Sequence, residues 1–184
     1  MQSLKEKYLL FKAKSFNDTE AYGEIYDRYI ERIYRFVFFK VGNQSDAEDI
    51  ASETFLKVWQ YIKDSQPIKN FNALLYSIAR NLVIDHYRSQ AKRLVVEEPI
   101  LTDIKDTADA AETIDIKTER VRILKALKFL KDEYSEVIIL RFLDDLSISE
   151  TAKIIGKSQN NTRVLIHRAL GALRKALEEE TENL

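Results

Sequence analysis

Residues 45–62, SDAEDIASETFLKVWQYI, determine the fold class of this chain. Apolar side chains recur here every three or four residues, which is the periodicity of one face of an α-helix. The charged side chains fall on a different face, so one side of the helix suits a core and the other suits water or a partner. The apolar face comprises Ala47, Ile50, Ala51, Phe55, Val58 and Ile62, and the charged face comprises Asp46, Asp49, Glu53 and Lys57.

Two further helices flank this stretch. Helical periodicity extends over residues 19–41, and the Gly-Asn pair at 42–43 predicts a stop. Ser45 and Glu48 have the spacing of a capping box, in which each side chain satisfies the other residue's backbone N–H, so we expect the central helix to begin there. The third helix is predicted over residues 71–93. The first part of the chain is therefore a helical bundle.

The composition agrees with a helical protein. The chain has 184 residues, 45% of them hydrophobic, with only four Gly and two Pro. No run approaches the roughly 20 apolar residues of a membrane span, and the start, MQSLKEKYLL, lacks the apolar core of a signal peptide. The absence of Cys excludes disulfides and Cys-based metal sites. We expect a cytoplasmic protein without membrane insertion.

The net charge of −1 conceals a strong segregation of charge. Residues 64–93 carry five Lys or Arg against two Asp or Glu, and residues 147–175 carry six against one. Residues 94–120 between them carry three against eight. Phosphate binding depends on local potential, so two basic segments favour nucleic acid despite the neutral total. A charge run is equally compatible with a solvated face.

The acidic segment at residues 94–117 predicts a flexible linker, because it is poor in aromatic side chains and cannot bury enough surface to offset the entropy of ordering. After it, helices are predicted over residues 117–131 and 133–143, the second with Asp132 as a possible cap. Ser147 and Glu150 form a second capping-box pattern.

The helix opened by that second box should end at Gly156, and Ser158 is expected to cap the last helix. Two helices joined by a short turn that contains Gly are typical of a helix-turn-helix, whose second helix enters the DNA major groove. An ordinary helical hairpin fits the periodicity as well. Arg163, His167 and Arg168 on the last helix favour DNA binding.

Three segments together resemble the extracytoplasmic-function (ECF) group of bacterial RNA polymerase sigma factors. Residues 46–59, DAEDIASETFLKVW, resemble the polymerase-binding helix of that family. Residues 74–88, LLYSIARNLVIDHYR, resemble its −10 promoter helix, with Leu74 where Trp is usual. Residues 122–177, with the ending IHRALGALR, resemble its −35-binding domain.

The resemblance implies an all-α protein of two small helical domains joined by a flexible acidic linker. Residues 1–93 would dock on core polymerase and recognise and melt the −10 element. Residues 94–117 would be the linker, and residues 118–184 would bind the −35 element through the helix-turn-helix. The implied function is a sigma factor that directs transcription initiation at promoters and catalyses nothing. It has no cofactor, no metal and no small-molecule substrate.

The resemblance also implies the residues of each site. Docking on core RNA polymerase is expected from Asp46, Glu48, Asp49, Glu53, Lys57 and Trp59. Contacts with single-stranded −10 DNA are expected from Ser65, Gln66, Lys69, Asn70, Tyr76, Arg80, Asn81, His86, Tyr87, Arg88, Lys92 and Arg93. Contacts with duplex −35 DNA are expected from Lys157, Ser158, Gln159, Asn160, Asn161, Arg163, Val164, His167 and Arg168. The last set replaces the more usual GTVKSR of the family by NNTRVL, so the promoter sequence is not implied.

Two other classes of protein compete with this interpretation. A free-standing helix-turn-helix regulator would explain the second half but leaves the charged helix at 46–59 without a purpose. An enzyme is disfavoured, because the chain has two His, no Cys and no glycine-rich phosphate loop. The family is usually held silent by an anti-sigma factor, so we expect one as a further partner.

Overall fold

The computed structural model describes residues 4–94 and 129–182, together with positions 123, 126 and 127. Every regular element in those residues is a helix. The chain divides into two compact units, with the boundary between Thr102 and Asp103. The predicted all-α class and two-unit organisation are confirmed. Of the predicted linker, residues 95–117 lie outside the described part, and Leu94 is the last residue of a helix.

The first unit contains four helices: α1 (Leu4–Phe16), α2 (Thr19–Val41), α3 (Gln44–Lys63) and α4 (Phe71–Leu94). Helix α2 is central and packs against the other three, and α3 also packs against α4. The apolar face predicted for α3 is buried in full, which confirms the helical assignment made from its periodicity. The largest fully buried side chains of this unit are Tyr76, Phe36, Phe71, Ile25, Ile33, Ile62 and Leu75.

The start of α3 differs from the prediction. Gly42 ends α2 in the left-handed conformation, with φ of +69°. Asn43 is then the N-cap, and its side chain accepts a hydrogen bond from the Asp46 backbone N–H at 3.1 Å. The Ser45–Glu48 capping box is therefore wrong, because the helix already begins at Gln44 and Glu48 instead accepts a hydrogen bond from the Gln44 amide at 2.8 Å.

Three or four helices were expected in this unit, and α1 is the fourth, which the periodicity did not locate. Glu6, Leu9 and Ala13 are its buried residues. The Glu6 carboxylate accepts a hydrogen bond from the Tyr29 hydroxyl at 2.6 Å. Burial, together with this hydrogen bond, raises the pKa of the Tyr29 hydroxyl above its usual range. Because an unpaired buried charge is costly, the contact with Tyr29 fixes how α1 lies on α2.

The second unit contains α5 (Asp132–Ile138), a π-helical stretch (Ile139–Leu143), α6 (Ile148–Ile155) and α7 (Gln159–Glu182). Asp132 is not a cap, since it is the first helical residue and Lys131 occupies the cap position without a side-chain hydrogen bond. Of the helix predicted over residues 117–131, the described positions 123, 126, 127 and 129 are helical.

The start of α6, its end and the turn into α7 are built as predicted. Ser147 and Glu150 form the capping box, with the Glu150 N–H donating to Ser147 Oγ at 3.2 Å and the Ser147 N–H donating to the Glu150 carboxylate at 2.9 Å. Gly156 ends α6 with φ of +68°, a left-handed conformation that favours glycine. Ser158 Oγ then accepts from the Asn161 N–H at 3.2 Å. The chain thus turns sharply between two well-capped helices, which is the frame of a helix-turn-helix.

Candidate nucleic-acid interface

Charged side chains lie along the outer side of α3, with Asp46, Asp49, Glu53 and Lys57 toward α4 and Glu48 toward α2. Glu48, Asp49, Glu53 and Lys57 are exposed, and Asp46 is half-buried. Lys57 pairs with Glu53 one turn away, at 3.2 Å between Nζ and Oε1. We call Asp46, Glu48, Asp49, Glu53 and Lys57 the α3 charged face. Exposed pairs of this kind add little stability, so the face is available for electrostatic complementarity with a partner.

An exposed apolar side chain accompanies this face. Leu56 is 68% exposed, and it lies one turn from Glu53 and directly before Lys57. The prediction from the sequence missed Leu56, because its spacing places it outside the buried stripe and its apolar character places it outside the charged one. Covering an exposed apolar side chain of this size with a partner protein would remove apolar surface from water, which favours association.

A groove of about 360 Å³ separates the α3 charged face from α4. The α3 side contributes Asp46, Asp49 and Glu53, and the α4 side contributes Asp85 and His86. The His86 Nε2 atom lies 3.6 Å from the Asp46 carboxylate. His86 was predicted as a DNA contact, but its ring is directed toward α3 rather than toward solvent, and its side chain is 17% exposed.

Trp59 is half-buried rather than part of the open face. Its ring lies 4.7 Å from that of Tyr22 between centroids. The Tyr22 hydroxyl donates to the Phe55 carbonyl at 2.5 Å, and burial raises the pKa of this hydroxyl above its usual range. Trp59 therefore joins α3 to α2, and only its exposed edge is open to a partner.

The loop between α3 and α4 is short and sharply turned. Ser65 has a φ of +56°, which turns the chain away from the end of α3. Gln66 and Lys69 are exposed. Asn70 caps α4, because its side-chain oxygen accepts the Ala73 N–H at 2.8 Å. The predicted loop residues are thus brought together, but the Asn70 side chain already has a structural partner.

Helix α4 divides the predicted −10 residues into an exposed and a buried group. Asn81, Tyr87 and Arg88 are exposed, and Arg80 is half-buried. The Tyr87 hydroxyl donates to the Lys40 carbonyl, which ties the ring edge to α2. Tyr76 is 1% exposed and packs edge-on against Phe36. A side chain buried in this way is not available to stack on a base, so the prediction for Tyr76 is wrong.

Two basic residues at the end of α4 were also predicted to contact −10 DNA. Lys92 and Arg93 continue the helix, and their side chains lie outside the described part. Arg88 is well exposed, and its guanidinium is 3.5 Å from the Asp85 carboxylate. The α4 surface therefore offers amide, aromatic and cationic groups along one helix.

The first turns of α7 present the predicted −35 residues to solvent. Gln159, Asn160, Asn161, Arg163, Val164, His167 and Arg168 are all exposed. The Arg163 guanidinium donates to the Asn160 amide oxygen at 3.0 Å. Thr162 is fully buried beneath them, and its hydroxyl donates to the Ser158 carbonyl at 2.9 Å. Thr162 anchors the helix on its inner side, which leaves the outer side free for a ligand.

Lys157 lies just before this helix and is tied to α5. Its ammonium group is 3.4 Å from the Glu133 carboxylate. Arg, Asn and Gln are the side chains that pair with guanine and adenine edges in the major groove. A surface with these residues on the second helix of a helix-turn-helix is chemically suited to duplex DNA.

The described residues contain no cluster of His, Cys, Asp or Glu that could hold a metal ion. Within the same residues, no helix is long and apolar enough to cross a membrane. The helical units with an exposed helix-turn-helix define the class: a helical DNA-binding protein.

Comparison with known proteins identifies the family. Residues 25–93 match the Sigma-70 region 2 model, and residues 120–173 match the Sigma-70 region 4 model. The chain is 31% identical over 175 residues to the ECF RNA polymerase sigma factor SigW of Bacillus subtilis, covering 88% of this chain and 91% of that protein. It is 33% identical over 165 residues to the ECF sigma factor BldN of Streptomyces coelicolor, covering 89% of this chain but 62% of BldN.

Two solved structures share the fold. One is CnrH in complex with the cytosolic domain of CnrY, with a TM-score of 0.71, 22% identity and coverage of 95% of this chain and 98% of that one. The other is the sigma factor RpoE with the anti-sigma factor NepR from Bartonella quintana, with a TM-score of 0.71, 21% identity and coverage of 85% and 96%. The chain belongs to the ECF group of RNA polymerase sigma factors. Membership favours a transcription initiation factor for RNA polymerase and promoter DNA over a free-standing regulator.

Proposed function

We propose that the chain docks on core RNA polymerase through the α3 charged face, with Leu56 at its centre. The observation that carries this proposal is the match of residues 25–93 to Sigma-70 region 2 together with the exposure of this face. Complementary charges select the partner and accelerate the encounter. Binding would cover the apolar atoms of Leu56 and of the exposed edge of Trp59, and removing them from water favours the complex.

The loop at residues 65–70 and the exposed side of α4 are proposed to hold melted −10 DNA. A base flipped out of the stack costs a few kcal/mol and must regain hydrogen bonds or stacking in a pocket. Asn81 is exposed at this position, and its amide both donates and accepts hydrogen bonds. Lys69 and Arg88 are exposed cations for the backbone. Asn70, His86 and Tyr87 act mainly by positioning these elements, since each contacts another part of the unit.

The first turns of α7 are proposed to read the −35 element. Arg163 and Asn160 are the candidates for base edges, and their mutual hydrogen bond orients both. His167 lies one turn after Arg163 and Arg168 is the next residue along the helix; both are exposed and suit phosphates. Ser158 acts through the cap of α7, and Lys157 remains close to Glu133.

The domain roles follow from these assignments. Residues 1–93 are proposed as the docking and −10 domain, residues 94–117 as the linker, and residues 118–184 as the −35 domain. An initiation factor of this kind acts by binding, so we propose that the chain has no catalytic activity and works in the cytoplasm. An anti-sigma factor is proposed as a further partner, because the similar structure of RpoE was solved with the anti-sigma factor NepR.

The test is binding of the purified chain to core RNA polymerase, followed by run-off transcription from a promoter library. Nanomolar binding with transcription from a subset of promoters is the expected result, and it also yields the promoter consensus. Selective binding to duplex DNA by a chain that does not bind polymerase would contradict the proposal and support the free-standing regulator.

A further inference from the structure

Helix α1 exposes an aromatic face on the side opposite its buried residues. Leu4, Tyr8 and Phe11 recur at helical spacing and are 87%, 58% and 57% exposed. Phe16 at the helix end is 71% exposed, and its ring lies edge-on to that of Phe11 with centroids 6.0 Å apart. We call Leu4, Tyr8, Phe11 and Phe16 the α1 aromatic face. An apolar row of this size on the outside of a helix is a feature of binding surfaces.

Lysines border this face on both edges. Lys5 and Lys12 lie on one edge and pair with Glu24 at 2.9 Å and with Asp18 at 3.2 Å. Lys7 and Lys14 lie on the other edge. The single carboxylate of α1, Glu6, is 5% exposed on the opposite side. The exposed surface of α1 is therefore cationic and aromatic, which complements an anionic ligand with flat apolar groups.

The position of α1 connects this face to the loop at residues 65–70. The Lys14 ammonium group donates to the Gln66 carbonyl at 3.3 Å. The edge that carries Lys7 and Lys14 is thus the edge nearest to the loop proposed to hold the flipped −10 base.

We propose that the α1 aromatic face is a stacking platform for single-stranded DNA adjacent to the base held by the loop at residues 65–70. This inference rests on the proposed function of that loop. Bases stack on aromatic rings irrespective of sequence, while cations beside the rings follow the phosphates. Tyr8 and Phe11 supply the rings, and Lys7 and Lys14 supply the cations.

Other occupants fit the face less well. A second copy of this chain would bring two sets of lysines together, and like charges oppose such a contact. An anionic lipid surface suits lysines beside aromatic rings, but it gives no role to the contact between Lys14 and the loop. Continuity with the loop therefore favours DNA, and lipid is an outcome that the experiment distinguishes.

The test compares two fluorescent probes in titrations of the full chain. One is an oligo(dT) of about 20 nucleotides, longer than the roughly 4–16 nucleotides of a typical single-stranded site, and the other is an abasic strand with the same number of phosphates. The double substitution Tyr8→Leu, Phe11→Leu should weaken oligo(dT) binding at least about fivefold, because rings are lost. It should leave abasic binding unchanged. Phe142→Leu, at a ring 49% exposed in the second unit, is the matched control and should change neither.

The lysines give a second, independent readout. Lys7→Ala should reduce the slope of log affinity against log salt by about 0.7, the value expected for one phosphate contact on a single strand. Lys5→Ala, on the edge already paired with Glu24, should leave the slope unchanged. Equal slopes for both variants would overturn the role of the Lys7 edge.

Equal losses on both probes, or no loss on either, would also overturn the proposal. If the Tyr8→Leu, Phe11→Leu variant loses no DNA binding but loses binding to phosphatidylglycerol vesicles, the face binds a membrane surface instead. Asn81→Ala separates this inference from the proposed function. If Tyr8→Leu, Phe11→Leu still weakens oligo(dT) binding when Asn81 is replaced by Ala, the stacking role of α1 is supported whether or not Asn81 holds a base. If Asn81→Ala impairs transcription while the α1 substitutions change nothing, the loop assignment stands and the platform fails.

Discussion

The outer faces of α3 and α7 have the same helical construction and opposite electrostatic character. On α3, acidic side chains dominate and are partly neutralised within the unit, as in the pair Glu53–Lys57 at 3.2 Å. On α7, the first five turns contain no carboxylate, and the Arg163 guanidinium donates a hydrogen bond to the neutral Asn160 amide. A face whose acidic and basic side chains already form ion pairs suits a protein partner. A basic face without nearby carboxylates suits a polyanion such as DNA. The sign and pairing of charge, rather than the fold, therefore separate the two partners.

The largest effect is expected from reversing the sign of the α3 charged face. Asp49→Lys with Glu53→Lys should lower affinity for core RNA polymerase by more than about a hundredfold, because like charges across an interface cost several kcal/mol. Binding measured by interferometry checks this. Glu178→Lys with Glu179→Lys, at exposed positions near the end of α7, is the matched control and should bind normally. Retained binding by the α3 variant would mean that another face docks.

The next effect concerns the base-reading end of α7. Arg163→Ala should cost about 1–3 kcal/mol on the preferred −35 sequence and should relax discrimination at one base pair. Affinities for a set of single-base variants of the promoter check this result. A uniform loss on every sequence would instead assign Arg163 to the phosphates.

Arg168 sharpens the contrast between the faces through salt dependence. Arg168→Ala should weaken binding to all duplex sequences alike and lower the salt slope by about one. Its polymerase affinity should stay unchanged, because Arg168 is not part of the α3 charged face. An unchanged slope for promoter binding would contradict the phosphate role.

The smallest effect compares two starts of helices that look alike in sequence. Ser147→Ala removes a formed capping box and should cost about 1 kcal/mol of unfolding free energy. Ser45→Ala should cost far less, because Asn43 is the actual cap of α3. Denaturant unfolding of both variants measures the difference. Equal losses would show that Ser45 stabilises α3 in a way the hydrogen bonds do not reveal.

These two starts also show what could be predicted. Both have the pattern Ser-x-x-Glu with a possible capping residue two positions earlier, Asn43 and Asp145, and only the structure shows that Asn43 caps α3 whereas Ser147 caps α6. Periodicity located α2, α3 and α4 because each has one apolar stripe. It missed α1, since Leu9 and Ala13 face the core while Tyr8 and Phe11 face outward, and no single stripe results.

The site was predictable in its segments and less so in its side chains. A motif places Tyr76 and His86 on α4, but tertiary packing decides that Tyr76 enters the core and that His86 turns toward Asp46. Leu56 is the opposite case, because it was not predicted as a contact and the structure shows that this apolar side chain is exposed. Local spacing specifies helices well, whereas long-range contacts decide which face of each helix remains open.

The contacts of α4 have a consequence for where transcription begins. The Tyr87 hydroxyl donates to a carbonyl at the end of α2, and His86 lies against the start of α3, so the proposed docking helix and the proposed −10 helix are held together by these contacts. Binding of α3 to polymerase would therefore also fix the position of the loop at residues 65–70 and of α4. Under the proposed function, the first unit keeps a constant distance between the −10 element and the active site of the polymerase. The start site should then keep its distance from the −10 element even when the −35 element is moved by a base pair.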